Sequence, residues 1–128
     1  MRVLLDTHTL LWAAFRKDLL SNRARHLLHA QRNEVFVSAV SAWEIATKFR
    51  LGKLPEAQAL VDDFVPSIQS VGYVSLPISL EHALRAGRLT AEHKDPFDRM
   101  LAAQAIHEDL AVISNDGQLD IFGVRREW

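Results

Sequence analysis

The feature that most constrains this chain is a repeated change of period. Short apolar runs stand at Arg2–Leu5, Glu34–Val37, Tyr73–Leu76 and Leu110–Ile113, and between them apolar residues recur at helical spacing. A run with little polar alternation suits a strand covered on both faces. Strands alternating with helices predict an α/β fold with a mostly parallel, twisted sheet. Right-handed crossovers then put helices on both faces of that sheet.

Local signals place the helices. Leu10, Leu11, Ala14 and Phe15 predict a helix over Thr7–Phe15, and Ser21 is a plausible N-cap for the next. Ser41–Leu51 is helical, with Gly52 as its stop. Pro55 suits a first turn, and Pro66 should kink or split the helix over Glu56–Val71 that Gly72 ends. Ser79–Ala86 is helical with Gly87 as its stop, and Asp95-Pro96 opens a helix to about Glu108. Gly123–Arg126 is a candidate short fifth strand. No repeat, linker or low-complexity tract interrupts the pattern.

With 128 residues, 48% hydrophobic and 24% charged, the expectation is a single domain over 1–128 with its own core. The absence of cysteine excludes a disulfide framework and a thiolate metal site. The start, Met1 to Asp6, does not read as a secretory signal, and no stretch has the length of a membrane span. The expected location is cytoplasmic. Fifteen bases against sixteen acids argue against a simple basic sleeve for nucleic acid. Any such role must use local patches or a metal.

In open parallel sheets, ligands bind beyond the carboxyl ends of the strands. Asp6 closes the first strand, and Asp116 follows the fourth after Ser114 and Asn115. Glu44 lies in the helix after the second strand, and Asp98 in the first turn of the helix before the fourth. Singly, each has a structural account. Asp6 and Asp116 suit turns or N-caps, Ser41-Ala42-Trp43-Glu44 fits a capping box, and Asp95 is the better cap for Pro96. Yet Glu44 shares a row with Val40, Thr47 and Leu51 that is mostly apolar. Two like charges about 5 Å apart repel by roughly 3 kcal/mol at an effective dielectric near 20. Four converging acids therefore call for a cation or raised pKa values.

Four blocks resemble the PIN-domain family, in particular the VapC-type toxins of toxin–antitoxin pairs. They are Val3-Leu4-Leu5-Asp6-Thr7-His8-Thr9-Leu10-Leu11-Trp12; Val37-Ser38 with Ser41-Ala42-Trp43-Glu44-Ile45-Ala46-Thr47-Lys48 and Leu51-Gly52-Lys53-Leu54; Asp95-Pro96-Phe97-Asp98-Arg99-Met100-Leu101-Ala102-Ala103-Gln104-Ala105; and Ile113-Ser114-Asn115-Asp116. Their order and separation agree across essentially the whole chain. The resemblance implies an α/β/α sandwich and a metal-dependent endoribonuclease. Asp6, Glu44, Asp98 and Asp116 match its four acids, and Ser114 matches a hydroxyl position that supports the metal shell. Asp6, Asp98 and Asp116 would hold one or two Mg²⁺ or Mn²⁺ ions, and Glu44 would act directly or through water. A metal-activated water would attack phosphorus, leaving a 5′ phosphate and a 3′ hydroxyl. The resemblance also implies a homodimer and a small cognate VapB-type antitoxin, for which the apolar Pro55–Val71 region is a candidate surface.

Substrate contact is less sharply written. Lys48, Arg50 and Lys53 cluster near the second block and Arg99 follows Asp98, so phosphate contacts stand beside a solvated helix face as readings. Trp12 and Trp43 are expected in the core, with Trp128 open to either role. The rival enzyme is a metal-independent ribonuclease with His8 or His93 as base, which leaves 2′,3′-cyclic phosphate. His26 and His29 lie three positions apart but lack a third zinc ligand by spacing. Leu4-Leu5-Asp6-Thr7-His8-Thr9 superficially resembles haloacid-dehalogenase-like phosphatases, whose second aspartate is replaced here by His8. A catalytically silent interaction module is the non-enzyme alternative. Neither GxGxxG nor GxxxxGK[ST] occurs.

Overall fold

The computed structural model describes residues 1–128. Its strands are β1 Arg2–Leu5, β2 Glu34–Ser38, β3 Val74–Leu76, β4 Ala111–Ile113 and β5 Arg126–Glu127. Its helices are α1 Thr7–Phe15, α2 Asn22–His29, α3 Ala39–Arg50, α4 Gln58–Asp62, α5 Phe64–Ser70, α6 Leu80–Arg88 and α7 Pro96–Glu108. Single 3₁₀ turns cover Lys17–Leu19, Pro55–Ala57 and Gly117–Phe122.

The five strands form one parallel sheet in the order β3-β2-β1-β4-β5. β1 is central, with Leu4 beside Phe36 on one side and Val112 on the other. Alternation along β1 divides the core. Val3 and Leu5 face Leu10 of α1, Leu27 of α2, Ile45 of α3 and Ile68 of α5. Leu4 faces Leu101 and Ala105 of α7 together with Leu119 and Phe122. Helices therefore cover both faces, and the expected three-layer α/β/α arrangement is what the chain adopts. No helix is long and apolar enough to cross a membrane.

Several local readings shift. α3 begins at Ala39 because Ser38, not Ser41, accepts the Val40 amide proton. Ser41 instead accepts the Thr7 hydroxyl, 3.0 Å away, so no Ser41–Glu44 capping box forms. The predicted split near Pro66 occurs at Asp63, leaving Pro66 in the first turn of α5, where a missing N–H breaks no intrahelical bond. Gly87 does not stop α6, which runs on to Arg88. The fifth strand is Arg126–Glu127, since Gly123 takes a left-handed conformation (φ 76°) that ends the preceding 3₁₀ turn. Trp12 packs on the core with Trp128, ring centroids 5.8 Å apart. Trp43 is not in the core: it is 59% exposed on the outer face of α3.

Candidate active site

β1 and β4 are adjacent and parallel, so the residues leaving their carboxyl ends meet. The Asp6 amide continues the ladder to the Ile113 carbonyl at 3.2 Å. The Thr9 hydroxyl bonds the same carbonyl at 2.8 Å and fixes the start of α1 against β4. Asp6 is buried. Its Oδ1 caps α1 through the Thr9 amide (2.9 Å), and its Oδ2 accepts the Ser114 hydroxyl proton. Ser114, fully buried after β4, accepts the Asp116 amide proton at 3.0 Å. One hydroxyl thus ties the two acids together.

Asp116 caps the Gly117–Phe122 turn through Oδ1 and the Gln118 amide, at 3.0 Å. The capping readings of Asp6 and Asp116 are therefore real. Each uses one carboxylate oxygen, and a carboxylate offers about four lone-pair sites. Capping and metal binding do not exclude one another.

Asp98 sits in the first turn of α7, behind Asp95, which caps the helix as expected through the Phe97 and Asp98 amides. Burial pushes the Asp98 carboxyl above the usual range. A hydrogen bond from His93 (Nε2 to Oδ2, 2.8 Å) and its charge oppose that push, while the negative charges of Asp95 and Asp116 add to it. The Asp116 charge therefore reaches Asp98.

Glu44 is buried to 6% exposure, and its Oε2 lies 2.5 Å from Lys48 Nζ one turn on. Its helix is tied to the Asp6 turn by the Thr7–Ser41 hydrogen bond. On the other side, Trp43 meets Phe97 edge-to-face at 4.9 Å, joining the residue before Glu44 to the residue before Asp98.

These contacts bring Asp6, Ser114 and Asp116 into direct linkage, Asp98 within reach of the Asp116 charge, and Glu44 to the same edge through its helix. Asp116 Oδ2, Asp98 Oδ1 and Glu44 Oε1 accept no hydrogen bond within the chain. No three of the four carboxylates come within 4.8 Å of one another. At that spacing no single ion takes three of these carboxylates directly, since ligands across an Mg²⁺ ion lie about 4.2 Å apart, and waters would complete its shell. An all-oxygen donor set fits Mg²⁺ or Mn²⁺ by hardness.

The basic residues divide. Arg99 does not point at a substrate path: its guanidinium binds the carbonyls of Ala86 (3.1 Å), Leu89, Ala91 (2.8 Å) and His93 (3.1 Å). It closes the α6–α7 loop and satisfies carbonyls at and beyond the end of α6. Lys48 turns inward on Glu44. Arg50 and Lys53 are exposed, and their side chains make no ion pair or hydrogen bond.

Sequence reasoning missed three contributors. His93, a rival base by sequence, orients Asp98. Gln104, fully buried on α7, accepts the Ser38 hydroxyl proton and donates to the Pro77 carbonyl and His82 Nδ1, at 3.2 and 3.3 Å. Its only signal was a polar residue among Leu101, Ala102 and Ala105. Arg126 pairs with Asp120 and bonds the Ser114 carbonyl at 3.1 Å.

Histidine chemistry finds little elsewhere. His8 is exposed against Trp12, and His26 and His29 are exposed and gather no third ligand. His82, His107 and Glu108 do lie within 4.8 Å of one another. But His82 Nδ1 accepts the Ser79 amide proton (3.0 Å), so Nε2 carries the ring proton and donates it to Glu108 (2.8 Å). A metal at Nε2 would require the imidazolate, and the trio is a structural contact.

A family model described as the PIN domain matches residues 3–123. Ribonuclease VapC16 of Mycobacterium tuberculosis (strain ATCC 25618 / H37Rv) is 37% identical over 67 residues. That alignment covers 52% of this chain and 46% of that protein, about half the length of each. Among solved structures, VapBC2 from Rickettsia felis, bound to a DNA fragment from its promoter, superposes with a TM-score of 0.73 at 18% identity. It covers 100% of this chain and 99% of that one. VapBC-1 from nontypeable Haemophilus influenzae gives 0.67 at 13% identity, covering 99% and 97%. FitAcB from Neisseria gonorrhoeae gives 0.63 at 21%, covering 98% and 96%. At these identities the superpositions establish the fold.

Proposed function

The chain belongs to the PIN-domain family, and from that premise we propose that it is a divalent-metal-dependent endoribonuclease, the toxin of a toxin–antitoxin pair. The observation that carries the reading is the Asp6–Ser114–Asp116 linkage at the ends of β1 and β4. Asp6, Asp98 and Asp116 would hold one or two ions of Mg²⁺ or Mn²⁺. When bound, such an ion supplies Lewis acidity and lowers the pKa of water.

The chain's own groups do the rest. Ser114 holds Asp6 and Asp116 in register. His93 fixes Asp98 through Oδ2 and leaves Oδ1 without a hydrogen bond. Glu44, with Lys48 balancing its charge, is placed to orient water through Oε1. Attack of water on phosphorus breaks the bond to the 3′ oxygen, giving a 5′ phosphate and a 3′ hydroxyl. Set the four acids aside and bases outnumber the remaining acids, so the near-neutral total conceals a basic remainder.

The likeness to Ribonuclease VapC16 supports the RNA substrate and the likeness to the VapBC complexes an antitoxin partner; the proposed location is cytoplasmic. An apolar groove of about 610 Å³ between α1, α2 and α5, lined by Leu10, Ala13, Leu28, Leu60, Ile68 and Val71, supports antitoxin docking. Exposed Leu80 and Leu84, one turn apart on α6, support a homodimer contact.

The test is cleavage of RNA by the purified protein with Mn²⁺ and with EDTA, beside Asp6→Asn. Cleavage confined to wild type with metal is expected, and cleavage by folded Asp6→Asn overturns the assignment. A second reading rests on His93 and Asp98 at 2.8 Å, an oriented imidazole able to serve as general base without metal. It predicts EDTA-resistant cleavage.

A further inference from the structure

Trp43 is the aromatic residue the fold leaves without a core role. Trp12 and Trp128 pack on each other and on the core, whereas Trp43 is 59% exposed. An indole so exposed puts a large apolar face in water. It is nonetheless held in place: Phe97, packed on the second core cluster, meets it at 4.9 Å and 76°. Trp43 is the chain neighbour of Glu44 and Phe97 that of Asp98, so the ring pair joins the two helix segments that carry these acids.

The rest of that helix face offers no second large apolar side chain, only the small residues Ala39 and Ala46 before Arg50. Ala46 and Arg50 follow Trp43 at the i+3 and i+7 positions of α3, and both are exposed. Arg50 has no partner within the chain, and at about 1.5 Å per residue it lies roughly 10 Å from Trp43 along the helix. A contiguous hydrophobic patch would suit a protein partner. A single rigid aromatic face, one residue along the chain from Glu44 and followed by an unpaired guanidinium, suits a single nucleic-acid strand. Such strands are bound by stacking bases on aromatic rings while cations follow the phosphates.

We infer that Trp43 is a stacking platform for the base next to the cleaved phosphate of single-stranded RNA, with Arg50 holding the backbone two turns along α3. The stacking subsite deepens the ribonuclease reading and rests on it for the identity of the strand. It also makes Trp43 the contact that restricts the substrate to unpaired nucleotides, because a base in a duplex has no free face to offer.

The test is a fluorescence titration of the full chain with a short mixed-sequence single-stranded RNA, with Ca²⁺ in place of Mg²⁺. Quenching of the exposed tryptophan is expected. Trp43→Ala should weaken binding about tenfold or more, and Trp43→Phe should retain most of the affinity. An abasic ribose-phosphate of the same length should bind wild type and Trp43→Ala alike. Arg50→Ala should weaken both ligands. Trp43→Phe keeps a ring against Phe97, so a poorly folded alanine variant does not remove the comparison. Equal RNA affinity for wild type and Trp43→Ala overturns the proposal. So does a change confined to self-association in sedimentation, which marks a protein-docking residue instead. Failure of the ribonuclease reading shows separately, as Trp43-dependent RNA binding by a protein that cleaves nothing with Mg²⁺ or Mn²⁺.

Discussion

Replacing Arg99 by lysine separates two roles that the sequence leaves entangled. In the structure the guanidinium serves four carbonyls, those of Ala86, Leu89, Ala91 and His93. A lysine keeps the charge but concentrates three donors on one nitrogen, and it reaches two of those carbonyls at most. Arg99 is half-buried, so water restores part of what is lost. Taking about 0.5–1 kcal/mol for each such bond, Arg99→Met should cost roughly 2–4 kcal/mol and Arg99→Lys roughly 1–2. At roughly 3–5 °C per kcal/mol for a chain this size, Arg99→Lys should lower Tm by about 5 °C and Arg99→Met by about 10 °C. The assays are thermal unfolding by circular dichroism and amide hydrogen exchange. Exchange should accelerate in residues 86–95 and not in β1 or β4. RNA cleavage should fall with loop order, because His93 rides on that loop against Asp98. An Arg99→Lys protein that melts with wild type and keeps its exchange pattern refutes the clamp and restores the phosphate-contact reading.

Asp98→Asn should stabilise the metal-free protein. Burial holds the Asp98 carboxyl above its ordinary range, so the folded state binds its proton more tightly than the unfolded chain. That contribution is complete below the unfolded pKa of about 3.9 and is lost as pH rises through the raised folded value. Melting in EDTA should show the advantage of Asp98→Asn growing upward from about pH 4 and then levelling; an advantage that shrinks with pH contradicts the burial argument. Mn²⁺ should raise the Tm of wild type and not of Asp98→Asn. Gln104→Leu strands the buried Ser38 hydroxyl, and urea unfolding should register a loss of about 1–3 kcal/mol. An unchanged urea midpoint refutes the relay.

The strands and acids were legible for physical reasons. β1 and β4 are buried on both faces, so they read as continuous apolar runs, and β-strand ends are where chemistry collects in a parallel sheet. Asp6 and Asp116 could be placed from that rule alone. The start of α3 was not legible, because Ser38 and Ser41 both suit a cap. Their partners across the fold, Gln104 and Thr7, decide between them. β5 is only two residues, with charged side chains half in water, and carries no apolar run to detect. The exposure of Trp43 depends on how α3 sits against α7. The roles of Arg99 and His93 depend on a loop conformation that no periodicity encodes.

The central claim is that the acid edge of the sheet cleaves RNA through a metal-activated water. The end groups of the cleaved RNA test it most directly. The account predicts 5′ phosphate and 3′ hydroxyl ends, formed with Mg²⁺ or Mn²⁺ and absent in EDTA. Ends carrying 2′,3′-cyclic phosphate, formed equally well in EDTA, would contradict it and transfer the chemistry to His93.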